Sequence, residues 1–352
     1  MINNINTSFW QGKKVFITGH TGFKGSWLSI WLNHLGANIK GYSLKPETPN
    51  NIFTIAKVCD FTESDFSNVK DLNQLKKSIQ SFKPEIVVHM AAQPLVLESY
   101  LNPIETYAVN VLGTANILEA CRECPSIKAV LNITTDKCYE NFEQTKGYKE
   151  GDPMGGHDPY SSSKGCSELV TTAYQKSFYE KINCGLASVR AGNVIGGGDW
   201  ADNRLIPDIL RSFEDKNTLI IRNPKAIRPW QHVLEPLSGY IMLLERLFNE
   251  PEKYSSGWNF GPDDKDTKSV EWILNYISKS LPEFRWEINE GSKPHEAQLL
   301  SLDISKAKND LNWTPKWSIE KALENILLWH KLWTSGNDMH QACLDEIYDY
   351  NI

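Results

Sequence analysis

The sequence predicts an α/β protein: a doubly wound parallel sheet followed by a smaller, mixed α/β lobe toward the C-terminus. Two observations carry this expectation. Through the first half of the chain short apolar strands alternate with amphipathic helical stretches, the pattern of right-handed βαβ crossovers. The alternation stops at Gly192–Trp200 (GNVIGGGDW), after which proline-containing loops separate short strands and helices. Taken in order, Val15–Thr18, Asn38–Leu44, Ile86–Ala91, Ala129–Thr134 and Gly185–Val189 read as strands. They are short, apolar or β-branched, and bounded by polar or Gly/Pro segments. Helical spacing falls between them, near Lys24–His34, Asp71–Phe82, Pro103–Cys121 and Tyr160–Tyr179. Beyond the break, Leu219–Ile221 reads as strand, and Pro236–Phe248 and Val270–Lys279 as helices. The Trp- and Leu-rich stretch from Trp313 to Trp333 has a helical spacing that core packing explains. The expected division is residues 1–190 for the strand–helix domain and 191–352 mainly for the second lobe, with some segments returning to the first.

With 352 residues, 41% hydrophobic and 23% charged, the chain has the composition of an ordinary globular protein and the length to bury a large core. A formal net charge of −6 offers no global attraction to nucleic acid. No apolar run reaches the length of a membrane span, and MINNINTSFWQGKK lacks a secretory pattern, so a cytoplasmic protein without membrane contact is expected. Seven scattered cysteines suit a reducing compartment. Cys121 and Cys124 form a C-x-x-C with no second pair, and His89, His157 and His232 show no ligand spacing. No metal is expected.

The first strand runs into Gly19-His20-Thr21-Gly22-Phe23-Lys24-Gly25 and then a helix. Small residues in such a turn let the backbone approach a pyrophosphate at the helix N-terminus. An acidic residue for a ribose is missing at the end of the second strand, where Tyr42-Ser43-Leu44-Lys45 stands instead. Ser43 can hydrogen-bond a ribose hydroxyl, and Lys45 can tolerate a 2′-phosphate. Farther on, Tyr160-Ser-Ser-Ser-Lys164 puts a phenol and an amine on one helical face, where an ammonium would favour phenolate. It follows a strand that ends in Thr134-Thr135-Asp136-Lys137.

The order and spacing of these pieces resemble the extended short-chain dehydrogenase/reductase family. The resemblance implies a Rossmann-type domain and NAD as cofactor, held by Gly19, Thr21, Gly22, Phe23, Gly25, Ser43, Tyr160 and Lys164. It also implies an adenine contact at Asp65-Phe66 and a third-strand loop, Ala91-Ala92-Gln93, beside the cofactor; a plain loop acid is an equal reading of Asp65. Thr135, Tyr160 and Lys164 would form the hydride-transfer site. Within the family, Asp136-Lys137 resembles the 4,6-dehydratases acting on CDP-glucose, as do Thr18–Leu28, Arg190–Trp200, Leu205–Asp208 and Ile227–Gly239. That branch oxidises the sugar at C4, eliminates water across C5–C6 and returns hydride to C6, so CDP-glucose is the expected substrate.

Asp136 would be the acid at C6. Lys137 would be either the C5 base, with a depressed pKa, or a cation stabilising the enolate. Asn193, Arg204 and Arg228 would bind substrate, with Arg matched to phosphate oxygens, and Trp230 and His232 would wall the nucleotide pocket. Each of these has a plain structural alternative. Another sugar-nucleotide 4,6-dehydratase or 4-epimerase is the alternative function, and a non-catalytic NAD-binding protein a third. The resemblance also implies a homodimer or homotetramer through the Tyr-Lys helix and the helix before it, where Leu112, Ala115 and Leu118 suggest a stripe that packs either on a second copy or on the sheet. A role in deoxysugar supply for surface polysaccharide follows from it as well.

Overall fold

A computed structural model describes residues 5–144, 146–289 and 300–351. Its frame is a seven-stranded sheet of β1 (Lys14–Thr18), β2 (Asn38–Ser43), β3 (Thr62–Phe66), β4 (Ile86–His89), β5 (Ala129–Ile133), β6 (Gly185–Ala191) and β7 (Gly257–Phe260). The spatial order is β7-β6-β5-β4-β1-β2-β3, and every neighbouring pair is parallel. The winding therefore reverses between β1 and β4, which opens a crevice at the carboxyl ends of those strands.

Successive strand residues point to opposite faces, and both faces are dry. Val15 and Ile17 join one core and Phe16 the other. On the Phe16 side pack α2 (Leu72–Phe82) and α3 (103–122), with α4 (Pro159–Ser177) at its edge. On the other side lie α1 (Phe23–His34), α5 (Leu234–Asn249) and α7 (Met339–Asn351). Helix α1 is covered all round, because α7 lies over it, with Tyr350 edge-on to Trp31 at 5.8 Å. Its Leu28, Ile30 and Leu32 are buried, each contributing roughly 1.5–3 kcal/mol.

Local chemistry sets the helix starts. Asp71 accepts from the Gln74 amide (3.0 Å) at α2, and Asp158 from the Ser161 amide (2.9 Å) at α4, where Pro159 pre-sets the first turn. Such caps are worth about 1 kcal/mol each. Helix α1 differs: its N-cap is Gly22, with no side-chain cap and no acidic residue in the first turn.

The second half of the chain is shared between two cores. Helix α5 and strand β7 pack on the large sheet, whereas Ile206, Ile209, Ile221, Ile273 and Leu274 build a separate lobe core. Helix α6 (Ile319–Thr334) joins them, giving Ile319, Leu323 and Ile326 to the lobe and Trp329 to the main core.

Three features depart from the sequence expectations. Strand β3 (TESDF) is polar and pairs on one side only, so it lacks the apolar signature of the inner strands. Strand β7 is recruited to the sheet by pairing with β6, a contact no local pattern announces. The stripe Leu112–Ala115–Leu118 is not one face: Leu118 is buried and Leu112 exposed. Spacing by three drifts around a 3.6-residue turn, and residues 108–112 are wound as a π turn. Among the described residues, no helix is long and apolar enough to cross a membrane.

One buried carboxyl makes stability pH-dependent. Glu245 on α5 accepts from Trp10 Nε1 (2.7 Å) and the Asn6 amide (3.0 Å), tying down the N-terminal segment. Burial pushes it up from 4.5 to about 7. Its contribution is full below the unfolded value and is lost as pH rises through the folded one. Glu245→Gln, which keeps an accepting oxygen, should flatten thermal stability between pH 4.5 and 7 and raise it at pH 8 by about 1–3 kcal/mol, read by calorimetry.

Candidate active site

A cavity of about 970 Å³ opens at the crevice between β1 and β4 and extends under the lobe. One end is the β1–α1 turn. Gly19 has φ +75°, and a Cβ there would lie 2.7 Å from the Ala91 nitrogen; a Cβ on Gly25 would lie 2.1 Å from the Gly19 carbonyl oxygen. Neither position tolerates a side chain. At Gly22, which lines the cavity, a Cβ would meet only the Gly19 oxygen, at an ordinary contact distance of 3.4 Å. With the α1 N-terminus uncapped by any side chain, the loop fits the pyrophosphate of a dinucleotide.

Gly19, Thr21, Gly22, Phe23, Gly25, Ser43, Ala91 and Ala92 all line the cavity. Ser43 Oγ and Thr21 Oγ1 are hydrogen-bonded at 2.8 Å. Three expected cofactor residues do not line it. Asp65 accepts from Ser67 Oγ (2.8 Å), Phe66 stacks on His20, and the cavity wall is made by Ser67, Asn68 and Val69 just beyond β3. Gln93 is turned to the protein: its side chain donates to Thr106 Oγ1 (2.8 Å) and accepts from the Leu95 amide (2.5 Å). Lys45 lies over the Phe66 ring and likewise stays off the cavity wall.

Thr135, Asp136, Lys137, Tyr160 and Lys164 converge on the cavity from two elements. Thr135 caps a short 3-10 turn, Asp136–Cys138, and donates to Asp136 Oδ1 (2.9 Å). The other carboxyl oxygen, Oδ2, is buried with no hydrogen-bond partner among the described residues. Burial raises the Asp136 pKa, with Lys137 opposing. Such a carboxyl holds a proton at higher pH than usual, which is what a general acid needs.

Burial pushes the Tyr160 phenol up to about 12, with the Thr135 hydrogen bond opposing. The Lys164 ammonium donates to the Ile133 carbonyl (3.2 Å), and burial lowers its own pKa to about 8, with Glu168 opposing. Desolvation of the phenol outweighs the helical proximity of the amine.

Asn193, Arg204 and Arg228 line the lobe side of the cavity with Trp230. Arg204 is held by Asp199 (2.9 Å) and Arg228 by the Ile227 carbonyl (2.9 Å). His232 is not a wall residue. It is buried against Glu346 (2.9 Å), between Trp27 and Trp317 in the main core.

Two features went unread in the sequence, one on the cavity wall and one behind it. Lys24, between Phe23 and Gly25 of the loop, faces the cavity, and burial with the neighbouring cations Lys164 and Arg204 lowers it to about 7. Asn110, in the π turn of α3, accepts from the Gln93 amide (2.9 Å) and donates to the Gln93 carbonyl (3.0 Å) and Ser163 Oγ (2.9 Å). It ties the loop after β4 to the Tyr-Lys helix. The lysine was legible as a charge inside a glycine loop; the π turn had no local signal.

The chain is 55% identical over 352 residues to the CDP-glucose 4,6-dehydratase of Salmonella typhimurium, covering 98% of each. It is 25% identical to the CDP-paratose 2-epimerase of Salmonella typhi, over 90% of this chain and 98% of that one. Among solved structures, UDP-glucose 4-epimerase from Stenotrophomonas maltophila with bound NAD superposes with a TM-score of 0.80 at 16% identity, covering 92% and 99% of the two chains. The NAD complex of Bacillus anthracis dTDP-glucose 4,6-dehydratase gives 0.74 at 19%, covering 94% and 100%. The family model described as GDP-mannose 4,6 dehydratase matches residues 16–326, and the chain belongs to that family.

Proposed function

We propose that this protein is an NAD-dependent CDP-glucose 4,6-dehydratase, forming CDP-4-keto-6-deoxyglucose and water. The observation that carries the reading is the buried Asp136 carboxyl, one oxygen without a hydrogen-bond partner among the described residues, set beside Thr135, Lys137 and Tyr160 in one cavity. A 4-epimerase needs no such acid, whereas loss of a C6 hydroxyl as water does. The 55% identity to a CDP-glucose enzyme supports the nucleotide.

The glycine loop, the α1 N-terminus, Ser43 and Ala91-Ala92 would hold NAD. When bound, NAD would accept hydride from sugar C4 and give it back at C6 after loss of water, and its positive charge would favour a buried phenolate. Tyr160 takes the O4 proton, and Thr135 orients that hydroxyl. Lys164, as a cation, steadies the phenolate. Once C4 is a ketone, the C5 proton is acidic and Lys137 handles it while Asp136 protonates the departing C6 hydroxyl. Arg204 and Arg228 would bind the substrate diphosphate, and Asn193 would orient the sugar. In this reading residues 1–190 carry cofactor and catalytic groups, and the later chain mainly binds the sugar nucleotide.

The direct test is an NMR time course in D2O with catalytic NAD+ and CDP-, dTDP-, UDP- or GDP-glucose. A 6-deoxy-4-keto product from CDP-glucose with solvent deuterium at C5 is expected. Preference for another nucleotide, or a product retaining its 6-hydroxyl, would overturn the assignment. Asp136→Asn should lower kcat by about 10²–10⁴-fold with hydride transfer to NAD+ preserved, seen as accumulating NADH absorbance. Lys137→Met should suppress C5–H exchange; fast exchange in that variant would remove Lys137 as the base.

We place the protein in the cytoplasm, where its seven free cysteines suit a reducing environment. A second copy would cover exposed Leu101, Ile104, Leu112 and Leu169, on and around α3 and α4. Ile104→Glu should convert a dimer to monomer in light scattering.

A further inference from the structure

We propose that Glu168 is a positioning residue for the reaction: clamped by Arg190, Thr134 and Ser188, it sets the Lys164 turn of α4 against the end of β5 and supplies the negative charge that keeps Lys164 an ammonium. The proposal rests on the reading above, in which Lys164 works as a cation beside Tyr160.

The clamp is complete at every acceptor. Glu168 and Arg190 are both almost fully buried. Arg190 Nε donates to Oε1 (3.0 Å) and Nη2 to Oε2 (2.8 Å), a forked pair. Each carboxylate oxygen also takes one hydroxyl: Thr134 Oγ1 on Oε1 and Ser188 Oγ on Oε2 (2.6 Å). These partners come from the end of β5 and from β6, so one side chain of α4 is bolted to both strands. Thr134 directly precedes Thr135 and Asp136, and its amide is also held by the Val189 carbonyl (2.9 Å). Arg190 is fixed in turn, donating to Tyr139 Oη (2.6 Å) and the Glu150 carbonyl (3.0 Å).

Tyr160, Lys164 and Glu168 are spaced by four, so they rise along one face of α4. The charged and titratable groups around Lys164 come from four elements. Lys24 faces it from α1, His89 from β4, Cys138 from the turn after β5, and Glu168 from α4 itself. Burial keeps His89 neutral, at about 3, and pushes the Cys138 thiol well up. Where Lys164 itself titrates, near 8, Lys24 at about 7 has largely lost its proton, and the Glu168 carboxylate is the charge left facing it. Burial has already brought Lys164 down to about 8, and Glu168 leads what opposes it. Removing that carboxylate lowers Lys164 further, and the unpaired Arg190 cation pushes the same way.

The test compares wild type, Glu168→Gln, Glu168→Asp and the double variant Glu168→Gln/Arg190→Met. Labelling of Lys164 by acetic anhydride across pH, read by mass spectrometry, gives its titration midpoint without substrate. The midpoint should fall by about one pH unit or more in Glu168→Gln and stay near wild type in Glu168→Asp. The basic limb of kcat with CDP-glucose should move down in parallel, with KM little changed. The double variant removes both buried charges together, so it decides the matter if the single variant unfolds. An unchanged Lys164 midpoint in whichever Gln-bearing variant is folded overturns the proposal. A displaced midpoint in a protein that leaves CDP-glucose untouched supports the clamp and overturns the functional reading instead.

Discussion

The contact between Gly19 and Gly25 leaves room for nothing larger than hydrogen, and the rest of the molecule is arranged around it. The β1–α1 turn can close only because a Cβ is missing at both positions, one against the Ala91 backbone and the other against the Gly19 carbonyl. That closure puts the N-terminus of α1 over the crevice where the sheet reverses its winding. A helix end left there without a side-chain cap is costly unless its N–H groups find partners, which is why the crevice suits an anionic ligand. The covering of α1 by α5 and α7 then follows, because Trp27, Leu28, Ile30, Trp31 and Leu32 spread apolar surface around most of the helix.

The cavity inverts the charge of the chain that builds it. The protein carries a formal net charge of −6, yet Lys24, Lys137, Lys164, Arg204 and Arg228 line this one space. Burial, and after it the neighbouring cations Lys164 and Arg204, lowers Lys24 to about 7. Such a field concentrates a diphosphate ligand and stabilises negative charge that develops during reaction. The opposing carboxyls are few. Asp199 is committed to Arg204 and Asp208 to Arg211, while Asp136 keeps one oxygen unpartnered among the described residues. The proposed acid is thus the carboxyl that the protein leaves available.

Much of the site is legible along the chain because its chemistry is local. The glycine loop requires its small residues within one turn, and Tyr160 and Lys164 require one helical face. Asp65, Phe66 and Gln93 were harder. Whether a residue at a strand end faces a ligand or the protein depends on the exit path of the chain, and here the path turns Ser67–Val69 to the cavity instead. His232 was misplaced for the same reason: its ring is buried between Trp27 and Trp317, beside Glu346 from far along the chain.

The sequence by itself determined the strand–helix alternation, the dinucleotide turn and the identity of the groups after β5, since each depends on spacing within a few residues. Only the tertiary structure decided that β3 and β7 extend the sheet, that a π turn in α3 grips the loop after β4, and that Glu168 is joined to strands β5 and β6. It also decided the protonation balance of the site. Burial moves Tyr160 up and Lys164 down, and burial is a property of everything packed around a group rather than of its neighbours in the chain.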